Sequence, residues 1–147
     1  MMKIQIMIIK NKSDIIKAFV NLTPFFILAI TATWLVSDNI FFWDTVQLSA
    51  KHATFYFENN FSKLLLPDSF DSGHVPAFGM YLAACWKLFG KSLLVSHFAM
   101  LPFLLGIIWQ SHQLLKKFIS HKYLYFALIL FLLDPTLLSQ ATLVSPD

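Results

Sequence analysis

Three polar sites interrupt this apolar chain, and their residue types could do chemistry. Asp44 closes the sequence Phe42-Trp43-Asp44 directly after the first hydrophobic run, and Asp147 ends the chain after another such run. Between them, His74 opens a short apolar segment rich in aromatic residues. Placing a charged carboxylate beside a membrane helix costs free energy, which suggests that it has a function. A carboxylate can act as a general base and accept a proton from a hydroxyl. Histidine at a helix N-terminus can contact a phosphate, so the pattern suggests chemistry on a lipid-linked substrate.

The composition is that of an integral membrane protein. Of the 147 residues, 57% are hydrophobic and 13% are charged, and the mean hydropathy is +0.65. Soluble domains carry about 25% charged residues. The formal net charge is +3, and all eleven basic residues are lysines, so no guanidinium can bind phosphate through two hydrogen bonds. The four glycines form no phosphate-binding loop, and the single Cys85 excludes an internal disulfide. The sequence predicts neither a nucleotide cofactor nor a nucleic-acid partner.

The number of membrane spans is decided by length and charge. Four segments are apolar: 18–36, 75–89, 93–115 and 123–144. Segment 75–89 would be about 22 Å long as a helix, which is too short for a hydrocarbon core of about 30 Å. With three spans, the lysine-rich residues 1–17 and the turn 116–122 both become cytoplasmic, as the positive-inside rule requires. We therefore predict an all-α membrane protein with three transmembrane helices and an external loop at 37–92.

The external loop is predicted to hold two juxtamembrane helices. Apolar residues at helical spacing indicate the first helix over 45–61, with Asp44 at its N-cap. Pro76 and Gly90 are typical of the start and the end of a second helix over 76–89. A linker rich in turn-forming residues, 62–75, joins the two helices.

The last apolar segment contains a break. Asp134 followed by Pro135 is typical of a helix that starts again, with Asp134 as its N-cap. No polar tail follows the last hydrophobic run. We therefore expect an N-terminal fragment of a longer membrane protein, with a cytoplasmic N-terminus at 1–17 and part of a transmembrane domain at 18–147.

In order and spacing, these motifs resemble the N-terminal part of polytopic glycosyltransferases of the C superfamily. The likeness is greatest to the protein-mannosyltransferase and aminoarabinose-transferase group, which uses polyprenyl-phosphate sugars. The residues that carry it are, in chain order, Trp43-Asp44, His74-Val75-Pro76, Trp86-Lys87-Leu88-Phe89-Gly90, Pro135 and Asp147. The chain departs from the family pattern at three of its residues. Val75 replaces a proline, His74 stands where relatives often carry a phosphate-binding lysine, and His97 stands where they often carry arginine.

The resemblance implies an inverting transfer of a sugar from a polyprenyl-phosphate donor to a lipid, glycan or protein hydroxyl. Asp44 would act as general base or orient the acceptor, and Asp147 matches a second acidic position. Phosphate contact is expected from His74, with Lys51 and Lys63 as rivals. The expected location is the inner membrane of a bacterium, with the site on the outer side. Tyr81 and Trp86 are predicted to line the route of the polyprenyl tail. No metal or other cofactor is expected, and the fragment alone is expected to be inactive.

Simpler interpretations stand beside these roles. Asp44 could serve only as a helix cap, and capping is the preferred role for Asp134. Asp68 and Asp71 suit an Asx-type turn better than a cation site. Four histidines lack the spacing of metal ligands and are expected to pack instead: His52, His97, His112 and His121. The alternative function is that of a small non-catalytic membrane protein or a subunit of a transporter or assembly complex.

Overall fold

A computed structural model describes residues 12–43 and 45–145, and every regular element in these ranges is a helix. A π-helix at Thr45–Ala50 precedes α2. The α-helices are α1 (Lys12–Val36), α2 (Lys51–Glu58), α3 (Ala77–Phe89), α4 (Leu93–Phe98), α5 (Leu101–Leu115), α6 (His121–Leu132) and α7 (Pro135–Thr142). The predicted all-α class is confirmed for the described residues. The predicted catalytic residues Asp44 and Asp147 lie outside them.

Two stretches of helix are long and apolar enough to cross a membrane. They are Asp14–Val36 and Leu93–Leu115, each of 23 residues, which corresponds to about 34 Å of helix. The first lies in α1, which already includes residues 12–17 of the predicted cytoplasmic segment. The second comprises α4 and α5. A tight turn at Ala99 and Met100 separates these two helices, shortly before Pro102. The predicted segments 18–36 and 93–115 are therefore helical over their whole lengths, apart from this turn.

The third apolar segment, 123–144, differs from a continuous span because it is divided between α6 and α7. The predicted cap at the break is confirmed. Asp134 Oδ1 accepts hydrogen bonds from the backbone N–H groups of Thr136, at 3.0 Å, and Leu137, at 3.1 Å. α6 has 12 residues, or about 18 Å of helix, and is by itself too short for a hydrocarbon core.

α6 and α7 nevertheless run along most of α1. Leu128 of α6 packs with Leu22 and Ala29 of α1 and with Ile108 of α5 in a buried apolar cluster. Further along, α7 lines a small apolar cavity against the second half of α1. Val144, which follows α7, is buried in a different cluster with α2 and α3. The third apolar segment thus leads from the start of α1 to the region where α1 ends.

The two short helices between the long ones pack directly on each other, and we call α2 and α3 the helical pair. Their shared core contains Ala53 and Tyr56 from α2 and Leu82, Ala83 and Trp86 from α3, all at most 2% exposed. This contact accounts for the apolar face of α3, which is too short to cross a membrane alone. An apolar helix face that is buried against another helix does not have to be buried in lipid.

The sequence predicts the C-terminal end of α3 better than the two ends of the helix before it. α3 ends at Phe89 with Gly90 at φ +91°, as expected for a glycine stop. α2 ends at Glu58, three residues before the predicted end of the 45–61 helix. Asn60 and Phe61 both adopt positive φ, of 50° and 57°. Asparagine tolerates this backbone conformation, whereas for phenylalanine it is strained. The predicted helix also differs at its start, where its first six residues form the π-helix.

Gly79 allows α3 to approach α2 closely, which leads to a testable prediction. A Cβ at this position would overlap the Cβ of His52 and lie 3.1 Å from the backbone nitrogen of Ala53. We expect Gly79→Ala to lower the free energy of unfolding by about 1–3 kcal/mol, because neither neighbour is a flexible side-chain end. Gly106→Ala is the matched control, since a Cβ at Gly106 meets nothing within 4 Å. Thermal unfolding in detergent checks both variants, and equal midpoints would contradict this packing.

Candidate functional site

The chain segments beside both predicted catalytic carboxylates lie near the helical pair. Thr45, which follows Asp44 in sequence, is 1% exposed in the π-helix, and that helix contacts α3. Val144 is 1% exposed within the core of the pair, and Ser145 is 5% exposed. The structure therefore brings the chain near 45 and the chain near 144 to the same end of the molecule. The positions of Asp44 and Asp147 themselves are outside the described residues.

His52 connects the linker to the helical pair. Its ring is 2% exposed, and its Nε2 lies 3.0 Å from the Ser72 hydroxyl oxygen. The Ser72 carbonyl in turn accepts a hydrogen bond from His74 Nδ1, also at 3.0 Å. Asp71 Oδ1 accepts the backbone N–H of Gly73 at 2.8 Å, which is the Asx-type turn predicted for Asp71. The His74 ring is exposed. Its bond to the Ser72 carbonyl uses Nδ1, so Nε2 can contact a ligand.

Charged groups surround His52. Burial is the main cause that lowers its pKa, and the positive charges of Lys51 and His74 act in the same direction. The Asp71 carboxylate opposes them and raises the pKa, but by less than burial lowers it. His52 is therefore neutral at pH 7. Lys51 and His74 are two of the three residues predicted to contact phosphate. Both lower the pKa of the buried His52 ring.

The third predicted phosphate contact, Lys63, is exposed in the linker that follows α2. Nothing in the described contacts brings it to the ring of His52. Its predicted role, like those of Lys51 and His74, stays a prediction.

Tyr81 and Trp86 hold α3 to the next long helix. The Trp86 indole N–H donates to Ser96 Oγ at 2.8 Å, and the ring is 2% exposed. The Tyr81 hydroxyl donates to the Ala99 carbonyl at 2.7 Å, and burial raises the pKa of Tyr81 to about 12. Trp86 is thus packed inside the core, whereas the half-buried Tyr81 lies edge-on against Phe103. Contact of either ring with a polyprenyl tail stays a prediction.

Two lysines near the end of α3 were given no functional role from the sequence. Lys87 Nζ lies 4.3 Å from the centre of the Phe57 ring and donates to Asn60 Oδ1. Lys91 Nζ lies 5.0 Å from the Trp86 ring and donates to Thr54 Oγ1 at 3.2 Å. Aromatic faces attract cations, so both charges are held on one side of the pair. No spacing rule pairs them in the sequence, because α3 ends at Phe89 and Gly90 separates the two lysines.

The π-helix contains a polar group that sequence reasoning also missed. Ser49 is 1% exposed, and its Oγ has no hydrogen-bond partner among the described residues. A buried hydroxyl without a partner is costly, and π-helical turns occur frequently at functional sites. No pattern in the sequence distinguishes this turn from an ordinary helical one.

The histidines are placed mainly by packing. His97 and His112 are buried like His52, and His97 Nε2 donates to the Asn39 carbonyl at 3.1 Å. Among the described residues, no three metal-binding side chains come together.

Comparisons with protein-family models, with curated proteins and with solved structures found no match for this chain.

The lowered pKa of His52 predicts how stability depends on pH. The folded state holds the neutral ring, so its stabilising effect is complete above the unfolded pKa of about 6.5. Stability is lost as the pH falls from there through the lower folded pKa, below which the loss levels off. We expect the temperature of the unfolding midpoint to decrease as the pH is lowered from about 7.5 to about 5.5. In His52→Gln this decrease should be smaller.

The control for this pH experiment is His121→Gln, which removes an exposed ring at a distance from the helical pair. It should keep the acid sensitivity of the unaltered protein. An undiminished acid loss in His52→Gln would show that other groups cause the effect.

Proposed function

We propose that this chain forms part of a membrane glycosyltransferase that moves a sugar from a polyprenyl-phosphate donor to a hydroxyl acceptor. In this proposal α1, α4–α5 and α6–α7 provide three spans, and the helical pair lies on the outer face of a bacterial inner membrane. The observation that carries it is the burial of Val144 in the core of the pair. Thr45 is buried in the π-helix that contacts α3, so the segments beside both predicted carboxylates border the helical pair.

The proposed reaction is a single displacement at the anomeric carbon. Asp44 accepts the proton of the acceptor hydroxyl while the hydroxyl oxygen bonds to that carbon. The bond from the carbon to the phosphate oxygen breaks in the same step, and the configuration inverts. The leaving group is the lipid phosphate, which carries the bonding electron pair away. Asp147 is proposed as a second acidic group that positions the acceptor.

The leaving phosphate needs positive charge, and the helical pair offers it. His74 bonds to the Ser72 carbonyl, and the Ser72 hydroxyl lies 3.0 Å from the ring of His52, which follows Lys51 in the sequence. The His74 Nδ1–H donates to the Ser72 carbonyl, which orients the ring and leaves Nε2 available. The N–H groups at the start of α3 and the helix dipole attract an anion at the same place. We assign the phosphate to this turn, and Lys63 to a secondary contact.

The lipid part of the donor needs an apolar path beside the phosphate. Tyr81 is half-buried, and its ring borders Phe78 and Phe103 at the contact between α3 and α5. This aromatic group is the proposed path of the polyprenyl tail. Trp86 contributes by holding α3 in place through its hydrogen bond to Ser96.

A second function is a non-catalytic subunit of a membrane complex. The observation in its favour is that Tyr81 and Trp86 use their polar atoms to join α3 to the next helices. A scaffold needs these bonds, and they serve no chemical step. The alternative predicts that sugar transfer is absent or is insensitive to Asp44.

Asp44→Asn in the full-length protein that is proposed to contain this chain tests the proposed function. We expect transfer of labelled sugar from a polyprenyl-phosphate donor to fall about 100-fold or more, because asparagine cannot accept the proton. Insertion into the membrane should be unchanged. Asp38→Asn, an exposed carboxylate in the turn after α1, is the matched control and should keep full activity. Near-normal turnover by Asp44→Asn, or no transfer by the unaltered protein, would contradict the proposal.

A further inference from the structure

A polar cavity lies at the end of the helices opposite the helical pair. Its volume is about 590 Å³, and α1, α5 and α6 form its walls. Ligand-binding pockets range over about 300–1,000 Å³. We call it the lysine-rich cavity, after Lys17, Lys116 and Lys117, which line it.

The charge of the lysine-rich cavity is positive. Three lysines face one carboxylate, Asp14, so the lining carries two surplus positive charges before any histidine is protonated. The lining also contains neutral hydrogen-bond donors, which are Asn21, Gln110 and Gln113. Lysine binds phosphate as a point charge, and amide groups add hydrogen bonds to its oxygens. The lining therefore suits a compact anion with several acceptor oxygens.

A buried ring in the wall is a second, independent indication of a ligand. His112 lines the cavity and is 3% exposed. Its Nδ1 is buried and has no hydrogen-bond partner among the described residues. The ring is held against Tyr125, with centroids 6.0 Å apart and planes inclined at 25°. A buried polar atom without a partner costs about 1–3 kcal/mol, which a bound ligand can offset.

We propose that the lysine-rich cavity binds a phosphate-bearing anion, through Lys17, Lys116 and Lys117, with His112 as the buried partner. This site is separate from the proposed sugar-transfer site, which lies at the helical pair. The anion is either a free phosphate or the headgroup of a phospholipid, and the chemistry of recognition is the same for both.

A second cavity lies beside the lysine-rich cavity but is not continuous with it. A smaller apolar cavity, of about 110 Å³, follows the same three helices toward α7. On α1 it begins at Phe25, one helical turn after Asn21 of the lysine-rich cavity. The two are separated by the buried cluster of Leu22, Ile108 and Leu128. The lysine-rich cavity is therefore a site for the phosphate group alone, and the acyl chains of a bound phospholipid would remain outside the helices.

Binding is tested on the intact protein with two probes. Inorganic phosphate is titrated calorimetrically in detergent at low ionic strength. Phosphatidic acid is added at about one-tenth of the lipid to phosphatidylcholine nanodiscs, and the thermal midpoint is compared with that in phosphatidylcholine alone. Phosphate binding would identify a soluble anion, and stabilisation by phosphatidic acid alone would identify a headgroup. Either result supports the site.

Matched lysine variants show whether the cavity is responsible. Lys117→Gln should weaken binding about three- to tenfold, as expected for loss of one charge near a phosphate. Lys122→Gln removes the same charge five residues further on, at the start of α6, but Lys122 lies over the Tyr123 ring and does not line the cavity. It should bind like the unaltered protein. His112→Phe keeps a ring against Tyr125, removes both ring nitrogens, and should also weaken binding.

Two results would overturn the proposal. One is the absence of any response to phosphate and to phosphatidic acid in the unaltered protein. The other is equal weakening by Lys117→Gln and Lys122→Gln, which would indicate general attraction by a basic surface. Neither result bears on sugar transfer at the helical pair, so the two proposals fail separately.

Discussion

The contact of α3 on α2 at Gly79 is the constraint on which the end of the molecule around the helical pair depends. The glycine lets the backbone of α3 approach His52 and Ala53 without a side chain between them. At this distance the two helices bury Tyr56, Leu82 and Trp86 almost completely. A wider separation would leave these large side chains in contact with solvent or lipid and would remove dispersion contacts. The helical pair is therefore a packed unit, even though each of its helices is short.

Three features follow from the position of this pair. The ring of His52 is fixed at the contact, so the linker can fold back and bond to it through Ser72. Trp86 reaches Ser96 and joins the pair to the following long helix. Val144 is buried in the same core, which brings the end of the described chain back to the helical pair. The helical pair is thus held together by packed residues that take no part in the proposed reaction.

Local signals in the sequence predicted local structure well. Gly90 and Asp134 end and restart helices where expected, because each acts through its own backbone conformation or a hydrogen bond to the next residues. The π-helix and the positive φ of Phe61 could not be predicted, since tertiary packing overrides the preferences of those residues. The pairing of Lys87 with Phe57 and the lysine-rich cavity depend on contacts between distant segments. The lysines that line the cavity were recognised only as a topology signal.

The central claim is that α3 begins and ends on the same side of the membrane. It can be measured with Asp68→Cys, before α3, and Lys91→Cys, after it, each in a Cys85→Ala background. A membrane-impermeant thiol reagent is added to intact cells, with Lys116→Cys as the residue at the opposite end. The account predicts that the thiols at 68 and 91 react and that the thiol at 116 reacts only after the cells are opened. Reaction at 68 without reaction at 91 in intact cells would show that α3 crosses, and reaction at 116 would place the lysine-rich turn outside.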